Sequence, residues 1–147
     1  MKKTYIKKLM ISGISITTNN KNELCEDTQK IAPLWEKYDT DNIYGKTFNK
    51  ENNTAMYGVY SNYISDLHGD YDVTVGVEVT KPKNALIIEN EKYLLFTKKG
   101  ELPDVTFEAW QEIWDYFANN KEYERKYSFD FEKYSKEDEI EIYISIK

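Results

Sequence analysis

Carboxylate, phenol and hydroxyl side chains alternate with isoleucine at the C-terminal end of this 147-residue chain, in Glu139-Ile140-Glu141-Ile142-Tyr143-Ile144-Ser145-Ile146-Lys147. Strict period-two alternation is the pattern of a β-strand with one face in a core. The isoleucines then face one way, and Glu139, Glu141, Tyr143 and Ser145 face the other. Glu141 and Tyr143, about 6–7 Å apart along one strand face, offer two kinds of chemistry. Desolvated beside an aromatic wall, the carboxylate holds an organic cation. Aimed at an electrophile, it orients or deprotonates water while the phenol polarises a carbonyl. On a solvated strand the same residues do neither.

Further side chains qualify on similar grounds. Glu132 and Tyr134 share the polar face of the preceding candidate strand, and Met56 and Tyr60 lie on the face opposite Val59 of another. Trp110 falls on a helical stripe that reads first as core packing, and from it the ring can still reach a groove edge. The candidate ligand-binding set is therefore Glu141, Tyr143, Glu132, Tyr134, Tyr60, Met56 and Trp110. If the site turns over a substrate, Glu141 and Tyr143 are the candidate catalytic pair. Tyr57, Trp35 and Trp114 read as core residues, and Glu78 as a solvated strand carboxylate. His68 lies in a turn, with no serine or cysteine motif for it to serve. Cys25, near a helix N-terminus, reads as an indifferent thiol. One cysteine and one histidine exclude an intrachain disulfide and the usual zinc sites. No metal and no cofactor are expected.

The elements that must position these residues can be taken in order. Lys8 to Thr18 reads as a strand bent or bulged at Gly13. Asn20 with Glu23 resembles a capping box, and Leu24, Thr28, Ile31, Trp35 and Tyr38 follow at helical spacing. Pro33 inside that pattern predicts a kink or a division of the helix. Thr40 to Thr54 reads as an exposed loop. Ala55 to Tyr63 and Tyr71 to Val79 form a hairpin across the Asp66-Leu67-His68-Gly69 turn, packed on one side by valines. Tyr93 to Lys98 is a strand, Phe107 to Phe117 an amphipathic helix, and Tyr127 to Tyr134 pairs with the C-terminal strand. Strand–helix–hairpin thus occurs twice, which predicts an α+β layer arrangement with one antiparallel sheet.

Composition limits the function classes. Aromatic residues make up 15% of the chain, thirteen of them tyrosine, which excludes disorder. A net charge of −6 with dispersed lysines argues against nucleic acid as a direct partner. An acidic, aromatic-rich protein suits cationic apolar ligands. No apolar run has the length of a membrane span and no signal-peptide core is present, so a cytoplasmic location is expected.

Four stretches, in order along the chain, carry a family resemblance. Tyr57-Gly58-Val59-Tyr60-Ser61-Asn62-Tyr63, continuing through Gly69 to Val79, resembles the middle hairpin of the GyrI-like small-molecule-binding domain, also known as the effector-binding domain of AraC-type regulators. Trp110-Gln111-Glu112-Ile113-Trp114-Asp115-Tyr116-Phe117, then Asp130 to Tyr134, then Glu141 to Ile144, resemble its second half. The resemblance implies a single domain over 1–147 with pseudo-repeat halves of about 1–84 and 85–147. It implies two βαββ modules forming one antiparallel sheet, two helices on one face and a ligand groove on the other. It further implies binding of bulky aromatic, often cationic compounds against aromatic residues and a glutamate. In the family that glutamate lies in the last strand, with a tyrosine two residues on; Glu141 and Tyr143 stand at those positions. The chain starts almost directly on its first strand and so resembles the stand-alone members, without a DNA-binding region. Its abundance of Lys, Asn and Ile is what an AT-rich bacterial genome would encode.

The expected function is binding of lipophilic, cationic small molecules, for drug or toxin sensing or sequestration. The alternative that the resemblance permits is hydrolysis of electrophilic, cyclopropane-bearing toxins by the same glutamate and a tyrosine. A third reading is binding of a protein partner, as in gyrase inhibition. No membrane partner is expected.

Overall fold

The structure is a computed structural model that describes residues 1–147. Its elements are β1 (Lys2–Thr18), α1 (Asn20–Glu23), α2 (Ile31–Thr40), α3 (Ile43–Lys46), β2 (Met56–Ser61), β3 (Tyr71–Glu78), β4 (Leu86–Lys99), α4 (Asp104–Asn119), β5 (Asp130–Lys136) and β6 (Glu139–Ser145). All strand pairs are antiparallel, in the order β1-β3-β2-β5-β6-β4, and β1 also pairs with β4, so the sheet closes. The fold is α+β, and strand–helix–hairpin recurs in both halves. The halves join along two seams, β2 against β5 and β1 against β4.

The long strands make the closure possible. β1 pairs with β4 through Lys2 to Ile11 and with β3 through Ile11 to Thr18. Where it changes partner, Gly13 lies opposite Gly76. A Cβ on either glycine would run into backbone of the other strand, at Val75 or Ser12. The two backbones cross too closely for any side chain. β1 starts earlier than the apolar alternation suggests, because its charged first residues pair with β4 through backbone alone.

The first helical region is divided, but not at Pro33. Asn19 caps α1 by accepting the Asn22 N–H at 2.8 Å. The chain then turns through Leu24 to Lys30 before α2 begins, which leaves Pro33 in the first turn of α2. There its missing N–H costs nothing, because the first N–H groups of a helix have no intrahelical partner. The Glu23 carboxylate takes two of those orphans, accepting from Lys30 N at 2.9 Å and Ile31 N at 3.1 Å.

Side chains of the two sheet faces form separate clusters. Ile140, Ile142 and Ile144 of β6 pack with Val73 and Val75 of β3 against Leu34 and Tyr38 of α2 and Val105, Ala109 and Ile113 of α4. The opposite face closes on itself, with Leu9, Ile11, Tyr57, Val59, Ile88, Tyr93 and Phe131 buried together. α2 packs on β1 and β3, and α4 on β4 and β6. Each helix therefore covers the outer strands of its own half. The β2–β5 seam is left open between them, and a cleft lies there, on the helical side of the sheet. The face away from the helices, where a groove was expected, is filled by its own aromatic cluster.

Candidate functional site

β5 begins the site. Asp130, Glu132 and Tyr134 alternate onto the helical face, as the β5–β6 register requires, since Glu132 pairs with Ile142. β2 contributes Tyr60 and Gly58 on the same face. From the helices come Trp35 on α2 and Thr106, Trp110 and Trp114 on α4. Glu132, Tyr134, Tyr60 and the four helix residues, with Tyr63, Tyr71 and Leu67, line a cleft of about 320 Å³, within the size range of small-molecule sites.

Glu132 is its polar centre. The residue is 3% exposed, and three donors converge on its carboxylate. Tyr60 OH and Trp110 Nε1 each donate to Oε2 at 2.7 Å, and Tyr134 OH donates to Oε1 at 2.8 Å. The Tyr134 oxygen also lies 3.2 Å from Thr106 Oγ1. Every one of the three contacts on the carboxylate is a donor, the set that an ionised carboxylate needs. Burial pushes the Glu132 pKa above the ordinary glutamate value, and the three hydrogen bonds pull it back only in part. The Tyr60 and Tyr134 phenols are pushed well up, by burial first and by the Glu132 charge second. They therefore stay protonated as donors at neutral pH.

No cation pairs with Glu132. The ion pairs of the protein join Lys98 to Glu112, Arg125 to Asp130, Lys126 to Glu91, Lys136 to Glu139 and Lys147 to Glu124. Around the carboxylate the rings pack in two groups. Trp35 meets Tyr134 edge-on at 5.5 Å, Tyr60 meets Trp110 at 5.2 Å and Tyr71 at 5.4 Å, and Trp110 meets Trp114 at 6.1 Å. Leu24 and Phe107 line the cleft and are 71% and 50% exposed, an apolar rim at its mouth. Glu23 also lines the cleft, but its carboxylate is occupied by the start of α2 and by Thr18 Oγ1 at 2.7 Å.

The structure brings four of the seven candidates together here: Glu132, Tyr134, Tyr60 and Trp110. Met56, paired with Tyr134 across the seam, packs against the helical core beside the cleft rather than lining it. Glu141 and Tyr143 lie on the opposite sheet face. With Ile140, Ile142 and Ile144 facing the helices, strand parity sends the alternate residues away from them. The Tyr143 ring stacks on Phe131 at 4.4 Å, within the second cluster. All three tryptophans, read as core from their helical stripes, line the cleft. The stripe is real, but the two helices stand apart, so residues on their inner edges face each other across a gap. Tyr57 is buried in the second cluster, and Glu78 lies 3.5 Å from its hydroxyl. His68 and Cys25 are exposed.

Comparison with known proteins agrees with this architecture. The structure superimposes on the Vibrio cholerae integron cassette protein VCH_CASS2 with a TM-score of 0.88 and 31% identity, covering 99% of this chain and 95% of that one. It matches SAV2435, solved bound to tetraphenylphosphonium, with a TM-score of 0.78 at 19% identity, covering 99% and 93%. YobU of Bacillus subtilis strain 168, named as a transcriptional regulator, is 25% identical over 157 residues, covering 98% of this chain and 96% of the relative. Residues 4–146 match the family model of Cass2, the integron-associated effector binding protein, and with this fold and a 31%-identical relative the chain belongs to that effector-binding family, within the GyrI-like group.

Proposed function

We propose that the protein binds bulky lipophilic organic cations in the cleft between α2 and α4, with Glu132 as the counter-charge. One observation carries the reading: a buried carboxylate holds three donors and has no cation of its own. The donors satisfy its hydrogen bonding, but its charge is uncompensated in a poorly solvated wall, where an unpaired ion is costly. A ligand cation offsets that cost. Tyr60, Tyr134, Trp35, Trp110 and Trp114 supply the apolar faces and cation–π attraction that a delocalised, weakly hydrated cation favours. That SAV2435 was solved with tetraphenylphosphonium supports the same ligand class for a chain of this fold. Binding of this kind serves sensing or sequestration of such compounds.

Titration of tetraphenylphosphonium against tryptophan emission tests the reading, since all three tryptophans line the cleft. Saturable quenching is expected, weakened at least tenfold in Glu132→Gln and unchanged in Glu141→Gln. No quenching in the wild type, or equal losses in both variants, would remove Glu132 from the site.

Hydrolysis of an electrophilic toxin is the second reading, and it has a geometric requirement. Oε2 already accepts two hydrogen bonds and Oε1 one, so only Oε1 has room to orient a water. A gain of one water in the mass of a cyclopropane-bearing electrophile, lost in Glu132→Gln, would make the site catalytic.

A further inference from the structure

The cleft continues beyond Trp114. A second cavity of about 580 Å³ shares Leu67, Trp114 and Arg125 with it. Arg125 is the one cationic side chain in the wall of the Glu132 cleft, and its side chain is 7% exposed. Its guanidinium lies over the Tyr127 ring at 4.3 Å and reaches Phe117 at 5.9 Å. Nη2 donates to Asp130 Oδ2 at 2.7 Å, whereas Nε is buried with no partner. A guanidinium has five N–H donors; here the protein engages Nη2 and closes off Nε, so the donors left for a ligand are on the terminal nitrogens.

The two charged positions are arranged for a divided ligand. Asp130, which holds Arg125, and Glu132 are alternate residues on one strand face, about 6–7 Å apart. Asp130 neutralises Arg125, so the guanidinium end of the cleft carries no net charge but keeps unused donors. The Glu132 end carries a net negative charge and has only donors around it. A carboxylate placed beside Arg125 would add an uncompensated charge near Asp130. A neutral carbonyl would satisfy a donor without that penalty.

Resting on the cation reading of Glu132, we propose that the ligand is a lipophilic cation bearing a neutral carbonyl acceptor (ester, amide or ketone) one short spacer away. The cation sits on Glu132, and the carbonyl oxygen accepts from Arg125 at the junction of the two cavities.

Three alkyltriphenylphosphonium salts test this by calorimetric titration: a plain alkyl chain, the same chain ending in a methyl ester, and one ending in a carboxylate. In the wild type the ester should bind about tenfold or more tighter than the plain chain, the value of one hydrogen bond to a charged donor. The carboxylate should bind no better than the plain chain. Arg125→Lys keeps the charge opposite Asp130 but removes the planar fork. It should abolish the ester's advantage over the plain chain, a ratio read between the two ligands within the variant itself. Should that variant not fold, the carbonyl stretch of the bound ester decides, moving to lower frequency if the hydrogen bond forms. An ester no tighter than the plain chain, an advantage that survives Arg125→Lys, an unshifted carbonyl or a preferred carboxylate would each overturn the proposal. If the plain chain binds and Glu132→Gln abolishes that binding, such a failure touches Arg125 alone. If no salt binds the folded protein, the Glu132 reading falls and takes this one with it.

Discussion

Gly58 and Glu132 pair across the β2–β5 seam, and a Cβ on Gly58 would stand 3.0 Å from Glu132 Oε1 and 3.4 Å from Trp35 Cζ2. The glycine is therefore a space requirement of the site. A side chain there would press on the carboxylate first, with the Trp35 ring already at contact distance behind it.

Enlarging this position should act on the ligand through Glu132. Gly58→Ala forces the carboxylate aside by a few tenths of an ångström against three hydrogen bonds, and Gly58→Val forces it further. Gly58→Val is expected to lose about 1–3 kcal/mol of stability through overpacking and to weaken tetraphenylphosphonium binding at least tenfold, with Gly58→Ala between it and the wild type. Thermal melts and calorimetric titration of the three proteins check the order. Unchanged affinity in Gly58→Val would mean that the cation does not sit at this carboxylate.

Acidity should move stability and binding in opposite directions. Burial raises the folded-state pKa of Glu132 above its ordinary value. The folded protein therefore holds this proton more tightly than the unfolded chain does. The resulting stabilisation is complete below the unfolded glutamate pKa of about 4.3 and is lost as pH rises through the folded value. Affinity for a permanent cation, which needs the ionised form, should instead rise about tenfold per pH unit below the folded pKa and then level off. Tetraphenylphosphonium has no titratable group, so a titration series across that window isolates Glu132. The Glu132→Gln series should be flat; a slope that survives there assigns the proton to another residue.

The same site shows how far the sequence reaches. Period-two alternation correctly places Ile140, Ile142 and Ile144 on one face, and helical spacing correctly places Trp35, Trp110 and Trp114 on stripes. Neither says which sheet face keeps a gap. That depends on α2 and α4 each covering the outer strands of its own half, a tertiary property that no local pattern encodes. One parity argument was available: if the isoleucines of β6 meet the helices, antiparallel pairing puts Glu132 on the helical face and Glu141 on the other. The early start of β1 was not legible, because Lys2 to Ile6 form their strand by pairing with β4 and show no apolar alternation of their own. Nor was the position of the helical break, which is set by Glu23 capping α2 through backbone contacts.

Trp114 and Ile113 are neighbours on α4 with different duties. Ile113 is fully buried, and Trp114 is half-buried on the wall shared by the two cavities. Ile113→Ala should cost about 2–5 kcal/mol, as a core cavity does, and leave affinity for tetraphenylphosphonium near its original value. Trp114→Ala should cost less in stability and weaken binding severalfold through the lost ring face. Urea unfolding beside fluorescence titration separates the two. If Trp114→Ala cost as much stability as Ile113→Ala with affinity intact, Trp114 would be a core residue after all.

Asp130 anchors the frame on which Glu132 stands. It is fully buried and accepts from Ser145 N at 2.7 Å, Ser145 Oγ at 2.9 Å, Tyr63 OH at 2.7 Å and Arg125 Nη2 at 2.7 Å. These contacts tie the start of β5 to the end of β6 and to the tyrosine wall. Asp130→Asn keeps the shape but strands a buried guanidinium without its counter-charge, and such a loss typically costs about 3–5 kcal/mol. Arg125→Met in the same chain removes the stranded charge and should restore part of that stability, a coupling that a double-mutant cycle measures. Glu112→Gln, which removes the charge from the exposed pair with Lys98 at 2.6 Å, should change stability little, because solvent screens such pairs. Urea midpoints at constant m, with Arg125→Met alone completing the cycle, rank the five proteins. If Asp130→Asn unfolded no earlier than Glu112→Gln, the buried pair would not be what holds β5 in register, and the placement of Glu132 would have to rest on the seam with β2 alone.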